Sequence, residues 1–215
     1  MYRVSLKLHK GEEIKYLSHR DIIRAFEFAL RRAKIPVAYS SGFNPRPCMS
    51  FGSAIGVGVT SDDERIVLDL ASAENPQEVK ERLNSTLPNG LQVLEAEVVP
   101  EGVKSPISSL NASEFEITVE GDAEEIGRAI DHLMSYEEIR IIRVREGKSK
   151  EIDIRPYLME AGINSKDGLT NIRVSLRSTS TGGAGPRDFV QALRDRLPNL
   201  IVRRVHRLRQ FHADS

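Results

Sequence analysis

The stretch that decides the fold is residues 2–36, YRVSLKLHKGEEIKYLSHRDIIRAFEFALRRAKIP, in which a strand pattern is followed by a helix pattern. Apolar and polar residues alternate in YRVSLKL, as is typical of a half-buried strand. Ser18 and Asp21 then have the spacing of a helix N-cap and its reciprocal acid, and Pro36 ends the helix. This helix is predicted over about residues 20–33.

The predicted helix has two chemically different faces. At about 100° per residue its apolar side chains fall on one side, as expected of a helix that packs on a core. The opposite side carries a row of arginines, which are Arg20, Arg24 and Arg31. The helix is therefore expected to pack by one face and to offer guanidinium groups on the other.

The order strand, helix, strand, strand, helix, strand occurs twice along the chain. The pattern predicts an α+β protein of the tandem ferredoxin-like type, with two βαββαβ units, antiparallel sheets and helices on one face. The units are placed at residues 1–100 and 114–215, with a linker at 101–113. In the first unit MSFGSAIGVGV, residues 49–59, is predicted as the second strand. In the second unit residues 151–168 are interpreted as an insertion between the second and third strands.

Composition limits the function classes. The chain has 215 residues, 40% hydrophobic and 29% charged, which is typical of a globular protein. It has no apolar run of the ~18 residues that a membrane span needs and no secretory signal, so a cytoplasmic protein without a membrane partner is predicted. The single cysteine, Cys48, excludes an intrachain disulfide framework and a three-cysteine iron–sulfur site within this chain. Any redox chemistry must come from a partner.

Charge is segregated although the net charge is zero. Residues 1–47 hold 10 basic and 4 acidic residues, residues 48–139 hold 5 and 19, and residues 140–215 hold 16 and 8. The two basic regions could form a cationic surface that attracts phosphates. Alternatively, they pair with the acidic middle region.

The segment SSGFNPRP, residues 40–47, follows the arginine helix and is predicted to be a preorganised recognition loop. Gly42 permits a tight bend and the two prolines restrict the backbone. The side chains expected to face a ligand are Phe43, Asn44 and Arg46. Phe43 could stack on a nucleobase, or it could instead fill the core beneath its own loop.

A second candidate site lies in TSTGGAGPRDF, residues 179–189, a glycine-rich loop that enters a helix. Backbone N–H groups at a helix start favour anions, although this sequence matches no established phosphate motif and could be a flexible turn. The RNA or nucleotide contacts predicted here and in the basic strand that follows are Gly182, Gly183, Gly185, Arg187, Arg203, Arg204 and Arg207.

His19 and Tyr39 are the candidates for acid–base chemistry. An imidazole titrates near neutral pH, so His19 could contact a phosphate or transfer a proton, or it could be a helix-start residue packed near the core. Tyr39 could stack a base or act with His19. The five histidines show no metal-ligand spacing, so no metal site is predicted.

The run YLSHRDIIRAFEFALRRAKIPVAYSSGFNPRPCMSFGSAIGVGVTSDDE, with IDIRPYL and STGGAGPRDFVQAL, resembles the radical SAM-linked protein family. Members of that uncharacterised family are encoded beside, or fused to, a radical SAM protein. The resemblance implies a radical SAM partner that carries the iron–sulfur cluster and S-adenosylmethionine, with no cofactor in this chain. Genes for an endoribonuclease and a ribosomal protein are often nearby, which favours an RNA substrate.

These observations favour a non-catalytic accessory module that recognises a substrate, RNA in this interpretation, for a separate radical SAM enzyme. One alternative is a metal-independent endoribonuclease of the tandem ferredoxin-like type, with His19 and Tyr39 as its catalytic pair. A second alternative is a purely structural adaptor.

Overall fold

The computed structural model describes residues 2–145, 147–163, 169–179 and 182–214. It divides into two compact units, Met1–Leu110 and Asn111–Ser215. No helix within these described ranges is long and apolar enough to cross a membrane.

The first unit contains an antiparallel sheet and two α-helices. Its elements in chain order are β1 (Tyr2–Lys10), α1 (His19–Arg32), β2 (Met49–Phe51), β3 (Thr60–Leu70), α2 (Pro76–Asn84) and β4 (Leu91–Val99). Strand β1 pairs with both β3 and β4, and the short β2 pairs with the end of β3. A 3-10 helix, Glu12–Ile14, connects β1 to α1.

Helix α1 forms where its cap and its apolar spacing coincide. The Ser18 side chain accepts from the Asp21 backbone N–H, and the Asp21 side chain accepts from the Ser18 backbone N–H, which completes a capping box. One turn apart on the core side, Ile22, Phe26 and Leu30 are buried. Their packing on the apolar side chains of β1 and β3 fixes which face of α1 is exposed.

The second unit has seven strands and two α-helices among its described residues. They are β5 (Ala112–Glu120), α3 (Ala123–Met134), β6 (Arg140–Arg145), β7 (Lys148–Asp153), β8 (Leu158–Ile163), β9 (Thr170–Thr179), β10 (Gly182–Gly183), α4 (Pro186–Arg194) and β11 (Ile201–Phe211). Strand β5 lies between β9 and β11, and β8 and β10 both pair with β9. Strands β6 and β7 pair with each other in a hairpin.

The predicted tandem ferredoxin-like fold is wrong. Of the eleven strands in the described residues, the second unit alone has seven, where a βαββαβ unit has four, and its β6 and β7 form a hairpin apart from the sheet that holds the other five. The chain is therefore not a pair of small βαββαβ units.

Two local features explain the difference. In the first unit the predicted strand over residues 49–59 is reduced to the three residues of β2, and Gly58, at φ +86°, has a backbone conformation that does not continue a strand. In the second unit the segment interpreted as an insertion supplies strand residues of its own. Strand β7 pairs with β6, and β8 pairs with β9. The predicted second strand, β6, therefore lies outside the sheet of the second unit.

Candidate functional site

A cleft of about 430 Å3 lies between the exposed face of α1 and the loop that follows it. The helix and the segment 44–47 form its two walls. Its lining residues are Arg20, Ile23, Arg24, Glu27, Arg31, Asn44, Pro45, Arg46 and Pro47. The structure thus brings the arginine row and the recognition loop, both singled out in the sequence, to one site within the first unit.

Both ends of α1 are held in place. At its start, the Asp21 carboxylate accepts from the Ser18 hydroxyl at 2.6 Å and from the Ser18 backbone N–H at 3.1 Å. These two hydrogen bonds are the main causes that hold the pKa of Asp21 below its usual range, with smaller contributions from the charges of Arg24 and Arg20. At its end, the Arg82 guanidinium donates to the backbone oxygen of Ala33 at 3.0 Å. The row of arginines therefore lies on a helix, α1, whose two ends are both fixed by hydrogen bonds.

The loop is closed by hydrogen bonds within itself. The Ser40 backbone N–H donates to the Arg46 carbonyl at 2.9 Å, and the Arg46 backbone N–H donates to the Ser40 hydroxyl at 3.1 Å. Gly42, between them, has φ +127°, a conformation that strains any residue with a Cβ. Residues 40–46 consequently form a defined turn that presents the Arg46 side chain to the cleft.

The base of the loop is tied to strand β3. The Ala38 backbone N–H donates to the Asp69 carbonyl at 2.8 Å, and the Asp69 backbone N–H donates to the Cys48 carbonyl at 3.0 Å. The Cys48 backbone N–H in turn donates to the Ala38 carbonyl at 2.7 Å. Cys48 thereby contributes its main chain to the loop base. These bonds fix the loop against the same sheet on which α1 packs.

The cleft has an excess of positive charge. The side chains of Arg20, Arg24 and Arg46 are exposed and make no hydrogen bond or ion pair with a residue that the structure describes. Arg31 has its guanidinium carbon 6.0 Å from the centre of the Phe28 ring. The one carboxylate in the lining, that of Glu27, is partly buried. Four guanidinium groups therefore stand against one carboxylate, which suits a polyanionic ligand.

Aromatic side chains are exposed beside this charge. Phe43 is fully exposed at the tip of the loop, with a relative accessibility of 105%, so it does not fill the core. Phe28 on α1 and Tyr39 at the loop base are 56% and 48% exposed. Exposed rings next to unpaired arginines are the groups on which unstacked bases are bound.

His19 lies on a different side of α1. Its ring packs edge-on against Phe51, with 5.2 Å between the ring centres, and lines a small cavity of about 20 Å3 with Ile22 and Leu8. Neither His19 nor Tyr39 belongs to the lining of the arginine cleft. No described contact joins the two, so the arrangement resembles the packed helix-start alternative for His19 more than a catalytic pair.

The predicted glycine-rich loop of the second unit is divided between a short strand and the start of a helix. Gly182 and Gly183 make up β10, and Gly185 is the N-cap of α4. The Gly185 backbone N–H donates to the Asp188 carboxylate at 2.7 Å, and Arg143 donates to that carboxylate at 2.7 and 3.1 Å. The Asp188 carboxylate therefore accepts hydrogen bonds from both the N-cap of α4 and Arg143. Residues 180 and 181 of this loop lie outside the described residues, and Arg187 is the second residue of α4.

The four arginines of β11 differ in their surroundings. Arg203 forms an ion pair with Glu120, and Arg209 Nε lies 2.6 Å from Glu114 Oε2. Arg204 donates to His206 Nδ1 at 3.1 Å. Arg207 is only 1% exposed and is among the largest fully buried side chains. Two of the four arginines of β11, Arg203 and Arg209, therefore have acidic partners on β5, and a third, Arg207, is buried.

Glu27 is the cleft residue that the sequence reasoning missed. It lies three residues after Arg24 and four before Arg31, so the helical period already placed it in the arginine row.

A larger cavity of about 810 Å3, in the second unit, is lined by the carboxylates of Glu114, Asp131 and Glu160, with Arg173. That lining does not suit an anion. No group of three potential metal ligands occurs among the described residues.

The fold and cleft define a two-unit protein whose first unit carries an arginine-lined, aromatic-flanked surface. The chain belongs to the family described as "Uncharacterized protein conserved in bacteria (DUF2344)", whose model matches residues 3–201. No curated protein matches the chain.

The chain also matches chains of known structure. The chain is similar to one in "Crystal Structure of a Cbf5-Nop10-Gar1 Complex", with 10% identity and a TM-score of 0.53, over 98% of this chain and 50% of that chain. It thus spans about half of that chain's length, and at this identity the likeness concerns the fold alone. A second match, DyPB from Rhodococcus jostii RHA1, has 11% identity over 95% of this chain and 90% of the other. Its TM-score is 0.26, so it supports no argument about the fold.

Proposed function

We propose that the chain is a non-catalytic module that binds single-stranded RNA in the cleft between α1 and the segment 44–47. The observation that carries the proposal is that Arg20, Arg24 and Arg46 border one cleft and that their side chains form no hydrogen bond or ion pair with a described residue. Arginine binds phosphate through its planar, permanently charged fork of donors. A row of such groups matches a phosphodiester backbone.

The surroundings of the cleft favour a single strand over a duplex. Phe43 projects fully into solvent at the loop tip, where an unstacked base could lie on its ring. The preorganised loop lowers the entropic cost of binding, because its backbone is already fixed by the Ser40–Arg46 hydrogen bonds. Phosphate contacts in the cleft would position the strand, and stacking on Phe43 would add affinity with little sequence preference.

The module is proposed to present this RNA to a separate radical SAM enzyme in the cytoplasm. This part rests on the resemblance of residues 16–64 and of the later segments to the radical SAM-linked family. The iron–sulfur cluster and S-adenosylmethionine would belong to that partner, which supplies the chemistry. The chain described here would supply the RNA contacts.

RNA binding is tested by fluorescence anisotropy with a labelled single-stranded RNA over a range of salt concentrations. For single strands the slope of log K against log salt is about −0.7 per phosphate neutralised, so four cleft arginines predict a slope of about −3. Binding that is absent at low salt, or that does not respond to salt, overturns the proposal.

The partner is tested by affinity purification of the full chain from cells that express it at native level. The expected result is co-purification of a protein with a three-cysteine cluster motif and the brown colour of an iron–sulfur cluster. If the chain purifies with RNA but without such a protein, the proposed radical SAM partner is wrong, while the proposal that the chain binds RNA stands.

A further inference from the structure

Glu27 is an unexpected residue in a cleft built for anions. It lines the cleft on α1 between Arg24 and Arg31, and its side chain is partly buried. Its carboxylate forms no hydrogen bond or ion pair with either arginine, nor with another residue in the described ranges. A carboxylate at this position repels phosphate, so its presence calls for a ligand group other than phosphate.

The helical spacing gives the row a regular alternation of charge. Residues three and four apart on a helix are neighbours, with about 5–6 Å between their Cβ atoms. Arg24, Glu27 and Arg31 therefore present positive, negative and positive charge in line along α1. A nucleic-acid strand that runs along the row has a similar alternation, because each sugar lies between two phosphates.

The chemistry of a carboxylate restricts what Glu27 can bind. An ionised carboxylate only accepts hydrogen bonds. The ribose 2′-hydroxyl is a donor that lies on the sugar between successive phosphates and is absent from DNA. We propose that Glu27 accepts a hydrogen bond from a ribose 2′-hydroxyl and so makes the cleft select RNA over DNA. This inference rests on the RNA-binding function proposed above.

The selection has a repulsive and an attractive part. With RNA, the 2′-hydroxyl satisfies the Glu27 carboxylate while Arg24 and Arg31 contact the flanking phosphates. With DNA, the carboxylate is covered by the strand without a donor, and its charge faces phosphates. Leaving a buried charged acceptor unsatisfied is costly, so discrimination of about 10-fold or more is expected.

The experiment measures dissociation constants for a single-stranded RNA, for DNA of the same sequence and for 2′-O-methyl RNA. The proteins are the wild type, Glu27→Ala, Glu27→Gln and the matched control Glu97→Gln, which removes one exposed carboxylate on β4. The wild type and Glu97→Gln are expected to prefer RNA by about 10-fold or more over both other strands. Glu27→Ala is expected to bind all three strands within about 2-fold, and Glu27→Gln, which keeps an acceptor oxygen, to be intermediate.

The outcomes separate this inference from the proposed function. If Glu27 only moderates the charge of the cleft, both of its variants bind RNA and DNA more tightly by the same factor, and the unchanged ratio overturns the inference. Equal affinity of the wild type for RNA and DNA also overturns it, while nucleic-acid binding stands. Failure of the wild type to bind any of the strands overturns the proposed function itself. Circular dichroism melting confirms that each variant is folded.

Discussion

Three arginines of α1 face an open cleft, whereas Arg203 and Arg209 of β11 form ion pairs with carboxylates on the neighbouring strand β5. The Arg24 side chain on α1 forms no hydrogen bond or ion pair with a described residue, while Arg203 and Arg209 on β11 are paired with Glu120 and Glu114. Both segments are rich in arginine. The difference shows that the density of basic residues does not identify a binding surface. The guanidinium groups whose charge is not neutralised within the protein are the ones that can bind an external anion.

Arginines that are paired within the fold and arginines at an open cleft should also differ in how much they stabilise the folded chain. An arginine that is paired within the fold contributes to stability, and its loss leaves a carboxylate without its partner. An arginine at an open cleft contributes little to stability, because an exposed ion pair or an unpaired exposed charge has a small effect on unfolding. Substitutions in the two regions should therefore change different measurements.

The largest effect is expected from Arg24→Ala combined with Arg46→Ala. Each hydrogen-bonded contact with a charged group is worth about 1.5–3 kcal/mol, so the loss of both should weaken RNA binding by about 100-fold or more. The free energy of unfolding should change by less than about 0.5 kcal/mol per site, because both side chains are exposed and unpaired. Fluorescence anisotropy and urea unfolding measure the two quantities.

The matched control is Arg203→Ala combined with Arg209→Ala, which removes the same charge from β11. This variant should keep RNA affinity within a few-fold of the wild type. Equal loss of affinity in the two double variants would mean that binding is a diffuse response to net charge, and the distinction between the two regions would fail.

The second largest effect is expected from Arg143→Ala, which tests an arginine with internal partners. Arg143 donates to both oxygens of Asp188 and to the Gly183 carbonyl at 2.9 Å. Asp188 is 14% exposed, so its carboxylate would be left largely buried and would keep only the hydrogen bonds of the α4 start. The free energy of unfolding should fall by about 1.5–3 kcal/mol, with RNA affinity unchanged. An unaltered free energy of unfolding would show that the Arg143–Asp188 pair adds nothing to stability, which is also the case for many surface ion pairs.

The sequence supported prediction of the cleft better than prediction of the fold. The period of α1 placed Arg20, Arg24 and Arg31 on the face opposite Phe26, because helical geometry is local. The Gly and Pro residues of 40–47 indicated a defined loop for the same reason. Helix α1, predicted over about 20–33, was observed at His19–Arg32.

Features that depend on distant partners were not predictable from the pattern. Whether β6 pairs with β7 or with the other strands of the second unit is decided by segments far apart in the chain, and alternation alone does not rank these pairings. The burial of Arg207 and the occupation of the α4 start by Asp188 are likewise results of tertiary packing. The basic run predicted RNA contacts at Arg203, Arg204 and Arg207, and it did not indicate that Arg203 forms an ion pair with Glu120 on β5.

A third, smaller effect is expected from Phe43→Ala, which tests whether the ring beside the arginine cleft stacks on a base. The ring is fully exposed, so the melting temperature should not change. Stacking of a base is worth about 1–3 kcal/mol, so RNA affinity should fall by about 5- to 150-fold. Phe43→Tyr, which keeps an aromatic ring, should bind RNA as the wild type does, whereas Phe43→Leu should bind as weakly as Phe43→Ala. Rescue by leucine would instead identify Phe43 as an apolar anchor for a protein partner.

The smallest effect concerns Asp21, the acid whose pKa the cleft arginines help to lower. The Ser18 hydrogen bonds are the larger cause and the charges of Arg24 and Arg20 are smaller ones. Because the pKa is lower in the folded state than in the unfolded chain, where it is about 3.9, Asp21 contributes stability above that value. This contribution is lost as the pH falls through the folded-state pKa. The difference in free energy of unfolding between wild type and Asp21→Asn should therefore be constant at neutral pH and should shrink below about pH 4.

Urea unfolding from pH 7 to pH 2 measures this difference, and two further variants assign its cause. Ser18→Ala should remove most of the pH dependence that Asp21→Asn removes, because it deletes the hydroxyl that donates to Asp21 Oδ2 at 2.6 Å. Arg24→Ala should leave most of it in place, since exposed charges act on Asp21 through solvent and are screened by salt. If Arg24→Ala abolished the pH dependence and Ser18→Ala did not, Arg24 would have to be regarded as partnered by Asp21. The contrast between the cleft arginines and the arginines of β11 would then be one of degree.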